Sequence, residues 1–156
     1  MTYSLRPLTA ADAGMAARFV SALIGELSRG HEPDVAAMTR TAAALLATPA
    51  VTGLAASLDG REVGLILLNE CAAIYAGRRF GETTELYVEP AHRSRGVARA
   101  LVAKAVDIGR LCGWTRLEVG APGGPGWART RAFYERQGFA EVGPRLKRPL
   151  AGGAAP

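Results

Sequence analysis

Three arginines, Arg93, Arg95 and Arg99, bracket the short run Gly96-Val97-Ala98. The run follows Glu85-Leu86-Tyr87-Val88, which reads as a strand closed by Pro90, and it opens a helical pattern. A strand leading into a small-residue turn and then a helix is a ready anion site. The first helical N–H groups have no intrahelical partner, and the helix dipole adds partial positive charge there. Gly96 lets the backbone approach a ligand without a Cβ, while the arginines can add charge-assisted hydrogen bonds. Such a turn would bind a phosphate-rich molecule. The same residues would also make an ordinary exposed helix start, rich in arginine for solubility.

A second constellation, Phe133-Tyr134 with Gly138-Phe139, follows after an interval of about forty residues. Taken together, the two segments resemble the GCN5-related N-acetyltransferases. That family has a strand of LYV type followed by [QR]-x-x-G-x-[GA], matched by Arg93, Gly96 and Ala98, and then a helix reading FY-x-x-x-GF. The resemblance implies an α/β fold with a central mixed, mostly antiparallel sheet of six to seven strands and about four flanking helices. It implies acetyl-CoA as cosubstrate, no metal, and transfer of the acetyl group to a primary amine by direct attack in a ternary complex. The cofactor would lie against Tyr87, Val88, Arg93, Ser94, Arg95, Gly96, Val97, Ala98 and Arg99. Its pantetheine arm would pass between two parallel strands that part from one another.

The resemblance assigns Tyr134 as the acid that protonates the departing thiolate. The chemistry fits, since phenols and thiols titrate near 10 and 8.5. An aromatic packed beside Phe133 is the structural alternative. The family often has asparagine seven residues before this tyrosine, where this chain has Trp127. There the polar contact is lost, and the ring either lines the pocket or simply packs.

The base is harder to place. An amine of pKa about 10.4 lies about 3.4 units from its reactive form at pH 7, or about 4.6 kcal/mol of deprotonation. Many relatives carry an acidic residue at the position of Thr84; here its neighbour Glu85 is the candidate. Solvated surface charge, or a water chain to another carboxylate, competes with that role. In regular strand geometry Glu85 and Tyr87 share one face, and Glu82 sits with Thr84 and Leu86 on the other. Glu26, Glu32 and Asp34 fall in or near the first interhelical connection, a wall of the acceptor site in the family. They would attract a cationic amine, or form an ordinary polar loop.

The elements that must carry these residues follow from periodicity. Tyr3–Leu8 reads as a strand, and Thr9 with Asp12 as a capping box before Met15, Phe19, Leu23 and Leu27 at helical spacing. Pro33 suits the first turn of a second helix, which Thr48-Pro49 ends. Val51–Leu58, Asp59-Gly60 and Glu62–Asn69 form a hairpin. Residues 70–81 read as a strand end and loop before the strand Glu82–Val88. The helix after Gly96 would bury Val97, Leu101, Ala105, Ile108 and Leu111, stopping at Gly113. Trp114–Val119 is the next strand, and the helix from Pro125 ends at Gly138. Phe139–Leu150 would supply one or two closing strands. The loop 120–126 lacks the Lys-[Ser/Thr] of a phosphate-binding loop, and its prolines remove donors, so it reads as a flexible connection.

Composition sets outer bounds. A chain of 156 residues, 49% hydrophobic and 21% charged, is the size and balance of one folded domain (1–150) with a loose tail over 151–156. No apolar run approaches the roughly 20 residues of a membrane span, and no leader pattern precedes the first strand, so a cytoplasmic protein is expected. Cys71 and Cys112 form no CxxC pair, and His31 and His92 stand apart, which argues against disulfide and metal. The net charge of +5 fits a cofactor rich in phosphate; the arginines are too dispersed for a nucleic-acid stripe. Two other classes stay open at this level: a CoA-binding module without turnover, and a basic nucleic-acid-associated protein whose affinity falls steeply with salt. The acceptor (a small amine or a peptide), the acyl length and a family-type homodimer are not decided by the residues.

Overall fold

The computed structural model describes residues 2–150, so the tail expected at 151–156 lies outside the described residues. By its backbone contacts the chain divides into two compact units, Met1–Val119 and Gly120–Pro156.

The first unit is built on a five-stranded sheet in the order β1-β2-β3-β4-β5. Its strands are β1 (Ser4–Pro7), β2 (Val51–Leu58), β3 (Arg61–Ala73), β4 (Arg78–Val88) and β5 (Leu117–Val119). The first four pair antiparallel, and β5 joins β4 in parallel. Three helices accompany them: α1 (Ala13–Leu27), α2 (Val35–Leu46) and α3 (Val97–Cys112). Leu8, Ala16, Ala55 and Leu65 form a buried cluster that Met15, Phe19, Val20, Ala42 and Leu46 cover from α1 and α2. Ile66 and Leu68 alternate with Leu65 along β3 and so serve the other face, on which α3 buries Val97, Leu101, Val102 and Ala105.

Trp114 locks α3 to that face. A Cβ at Gly81 would overlap the indole ring, and one at Gly109 would meet it at 3.0 Å, so both glycines make room for it. The indole Nε1 donates to Glu70 at 2.7 Å. Trp114 therefore belongs to the connection after α3, and β5 starts later than the sequence pattern indicates.

The hairpin of β3 and β4 is longer than expected. Residues 70–81 are two strand ends closed by a turn at 74–77, with Glu70 opposite Gly81 and Ala73 opposite Arg78. The interval lacks clear alternation, yet the ladder holds because each strand continues a well-paired neighbour. Leu111, expected in the core, is 88% exposed, because α3 turns it away in its last turn while Gly109 faces inward.

The second unit contains a 3₁₀ turn at Pro125–Trp127 and α4 (Ala128–Arg136). The helix closes as Gln137 N donates to Phe133 O and Phe139 N to Tyr134 O (both 3.1 Å). Arg131 pairs with Glu141 at 2.8 Å. Phe139–Leu150 forms no strand, so the sheet has five strands among the described residues instead of six to seven. Pro144 and Pro149 lack the N–H a ladder needs, and Gly143, at φ +127°, leaves extended geometry just before the first of them.

Candidate active site

The register of β3 with β4 shifts by one residue at Thr84. Leu68 faces Thr83 and Leu67 faces Glu85, so Thr84 has no partner of its own on β3 and forms a bulge. The bulge changes which side chains share a face. Glu82 lies opposite Asn69 and Glu85 opposite Leu67; Asn69 and Leu67 point the same way, so Glu82 and Glu85 do too. Regular geometry placed them on opposite faces, and the extra residue corrects that. Tyr87, opposite Leu65, completes the row on the side of α1.

Glu85 is half-buried and accepts a hydrogen bond from the Thr84 hydroxyl. Burial pushes its carboxyl above the usual carboxylate range; the Thr84 bond opposes this, and the negative charge of Glu82 adds to it. No arginine or lysine stands within ion-pair distance of Glu85 among the described residues.

The bulge also coincides with the end of the β5 ladder. Parallel pairing runs from Gly81 with Leu117 to Thr83 with Val119 and stops, while β4 continues to Val88. Glu89 N donates to Val63 O across β3 at 2.9 Å, so alternation turns the Val88 N–H toward the opposite edge, where β5 has ended. That edge offers a backbone donor to an extended ligand.

Beyond Val88 the chain makes a 3₁₀ turn at Pro90–His92 and enters α3 through Ser94 (φ +61°) and Gly96 (φ +87°). The first intrahelical bond of α3 runs from Ala100 N to Gly96 O at 2.9 Å, and the cap residue, Gly96, brings no side chain to the helix start. The N–H groups of Val97, Ala98 and Arg99 thus precede any intrahelical partner. Space beside Gly96 is open, and its left-handed backbone suits glycine. Arg95 and Arg99 are exposed and lack an ion-pair partner among the described residues.

Arg93 behaves differently. Its Nε donates to Val88 O at 2.8 Å, its Nη2 to Glu26 Oε1 at 2.7 Å, and its guanidinium stands 5.5 Å from the centre of the Tyr87 ring. The Tyr87 ring is buried, 5.7 Å from Phe19 of α1, so any ligand contact of Tyr87 falls to its backbone. Burial raises the Tyr87 phenol further, with the Glu26 charge adding to it. Asp34 caps α2 through a bond from Ala37 N (3.0 Å), while Glu32 is exposed. Of the three acidic residues expected near the acceptor, two therefore hold structure.

Tyr134 lies in the second unit, on α4. Its ring sits 5.2 Å from Phe133 and 5.5 Å from Phe139, and burial pushes its hydroxyl up to about 12. Trp127, half-buried, sits immediately before α4 and closes the 3₁₀ turn through Trp127 N to Gly124 O (3.2 Å). Among the described residues, no group of three or more histidine, cysteine or acidic side chains is placed to hold a metal ion. No helix among them is long and apolar enough to cross a membrane.

A strand that outruns its parallel neighbour and then enters a glycine-led helix start offers backbone donors to an extended, anionic ligand. Residues 21–139 match the acetyltransferase (GNAT) family, and the chain belongs to that family. It is similar to the solved ribosomal-protein-alanine N-acetyltransferase of Brucella melitensis biovar Abortus 2308, with 25% identity and a TM-score of 0.76 over 96% of this chain and 100% of that one. An aminoglycoside acetyltransferase from an uncultured soil metagenomic sample gives 25% identity and a TM-score of 0.75 over 97% and 100%. A possible acetyltransferase of Clostridium difficile 630, at 17% identity and a TM-score of 0.81 over 97% and 99%, shares the fold. A mycothiol acetyltransferase of Beutenbergia cavernae is 42% identical over 62 residues, 40% of this chain; the match spans 20% of that relative's length.

Proposed function

We propose that the chain is an acetyl-CoA-dependent N-acetyltransferase acting on a primary amine, either a small molecule or a peptide. The observation that carries this is the end of the β4–β5 pairing at Thr83, followed by the glycine-led start of α3 with Arg95 and Arg99 beside it. The residues present fit the cofactor. The Val88 N–H at the free strand edge suits the pantetheine amides. The N–H groups of Val97, Ala98 and Arg99, open space beside Gly96, and two unpaired guanidinium groups suit the pyrophosphate and 3′-phosphate.

When bound, acetyl-CoA supplies the activated acetyl thioester. Glu85 takes the proton that the amine nitrogen loses as the new C–N bond forms and the C–S bond breaks. Its raised affinity for a proton makes it a stronger base than a surface carboxylate. Tyr134 serves the sulfur. At about 12 its hydroxyl is fully protonated at neutral pH. Complete transfer to a thiolate of pKa about 8.5 would run uphill by about 5 kcal/mol, so hydrogen-bond donation to the developing charge is the larger part of its role. Support for Tyr134 comes from the FY-x-x-x-GF helix and from its aromatic surroundings.

Thiol release from acetyl-CoA, followed across aminoglycosides, polyamines, amino acids and short peptides that include alanine-first ones, tests the proposal. One class should turn over, and Tyr134→Phe should lower kcat about tenfold or more with KM for acetyl-CoA nearly unchanged. CoA binding without release from any acceptor would favour a binding module instead. Absence of CoA binding would defeat both readings.

A further inference from the structure

Arg93 occupies the first position of the phosphate-turn motif, yet its guanidinium is spent on the protein. One nitrogen holds the last carbonyl of β4, a second holds a carboxylate in the final turn of α1, and its face lies against Tyr87. Tyr87 in turn packs on Phe19 of α1. These contacts join three parts of the first unit at one side chain: the end of the strand that offers the Val88 N–H, the segment leading into α3, and the helix end from which residues 28–34 depart.

From this geometry we infer that Arg93 is a positioning residue, which with Glu26 latches the cofactor turn to the end of α1. The inference rests on the acetyltransferase reading and deepens it. Arg95 and Arg99 are left to meet phosphate, while Arg93 sets where the Val88 donor and the α3 start stand. By holding Val88 O it fixes the peptide orientation at the strand end. By holding Glu26 it fixes the point where the acceptor-side connection begins. Occupancy of the cofactor turn and order in that connection are therefore coupled through one salt bridge.

A sign distinguishes this from direct phosphate binding. If Arg93 were a phosphate ligand restrained by Glu26, removing the carboxylate would release the guanidinium and CoA would bind more tightly. The latch requires the opposite. Glu26→Ala should weaken CoA about threefold to fivefold, as expected for a half-exposed charged contact. Arg93→Ala should weaken it by a similar factor, and the double variant by no more than either alone. The slope of log affinity against log salt should fall for Arg95→Gln and Arg99→Gln, which remove positive charge set against phosphate, and stay unchanged for Glu26→Ala and Arg93→Ala. KM for the amine should rise in Glu26→Ala with kcat retained.

Calorimetry with CoA on the full chain, at several salt concentrations, reads these outcomes. Tighter binding in Glu26→Ala, or a reduced salt slope in Arg93→Ala, overturns the latch. Thermal unfolding of each variant shows whether the fold is kept. Hydrogen exchange on the ligand-free chain separates failure of the latch from failure of the enzyme reading. Faster exchange over residues 93–100 in Glu26→Ala upholds the latch even if the wild-type chain binds no CoA; unchanged exchange overturns it.

Discussion

Asp12 and Glu85 are two carboxylates of the same unit whose surroundings drive them in opposite directions. Asp12 receives two bonds from Arg6 (2.8 and 3.1 Å) and one from Thr9 N (2.8 Å), while Arg6 also reaches Glu62 at 2.8 Å. The Arg6 hydrogen bonds, then the Thr9 backbone bond, hold Asp12 down to about 2. Glu85 has a hydroxyl for a partner, a second carboxylate on its face and partial burial, and it is pushed up. The first region uses charge to fasten β1 to the start of α1 and to β3. The second leaves a carboxylate without a charged partner beside a second carboxylate, the setting that the proposed role of Glu85 as base would use.

The comparison breaks most visibly in the rate. Glu85→Gln should lower kcat/KM about a hundredfold and remove the acid limb of its pH profile, whereas Asp12→Asn should leave both intact. Equal losses in the two variants would mean that Glu85 is structural as well. Stability should show the reverse order. In urea unfolding at neutral pH, Asp12→Asn should lose about 1–2 kcal/mol with its charged bonds, and Glu85→Gln should be at least as stable as the wild type.

A pH series sharpens the contrast. Asp12 has a depressed folded value, so its contribution is present above about 4, its unfolded value, and is lost as pH falls through about 2. Glu85 has a raised folded value, so its contribution is present below the ordinary glutamate value and is lost as pH rises through the folded one. Unfolding free energies of the two variants, measured between pH 2 and 7 (roughly the span of both titrations), should therefore approach wild type at the acid end and part from it in opposite directions as pH rises, Asp12→Asn falling below and Glu85→Gln rising above. The smallest effect belongs to Glu82→Gln. Removing its charge should move the acid limb of kcat/KM to lower pH without abolishing it, and a limb that does not move would mean the two carboxylates are not in electrical contact.

Much of this was legible in the residues. The strand-turn-helix at Glu85–Leu101 and the FY-x-x-x-GF helix stand where the motifs put them, because glycine at a left-handed position and alternating apolar residues leave few alternatives. What escaped depends on pairing between distant segments. Thr84 looks like any strand residue until Leu67 and Leu68 are set opposite its neighbours. The roles of Glu26 and Arg93 were hidden because the two lie 67 positions apart in sequence. The expected closing strands over Phe139–Leu150 fail for a local reason already present in the residues, the prolines at 144 and 149.

The bulge at Thr84 makes β4 one residue longer than its ladder needs. Deleting one of the adjacent threonines would leave Thr83 and Glu85 as neighbours facing Leu68 and Leu67, an uninterrupted register with every flanking side chain on its present face. Such a shortened chain should fold readily. It would also lose the local bend and added twist that a bulge gives its strand, at the level where the pairing with β5 ends and on the way to Val88. The spare residue sets the course of β4 toward Val88: a deletion that tidies the sheet should weaken CoA binding while leaving thermal stability equal or higher.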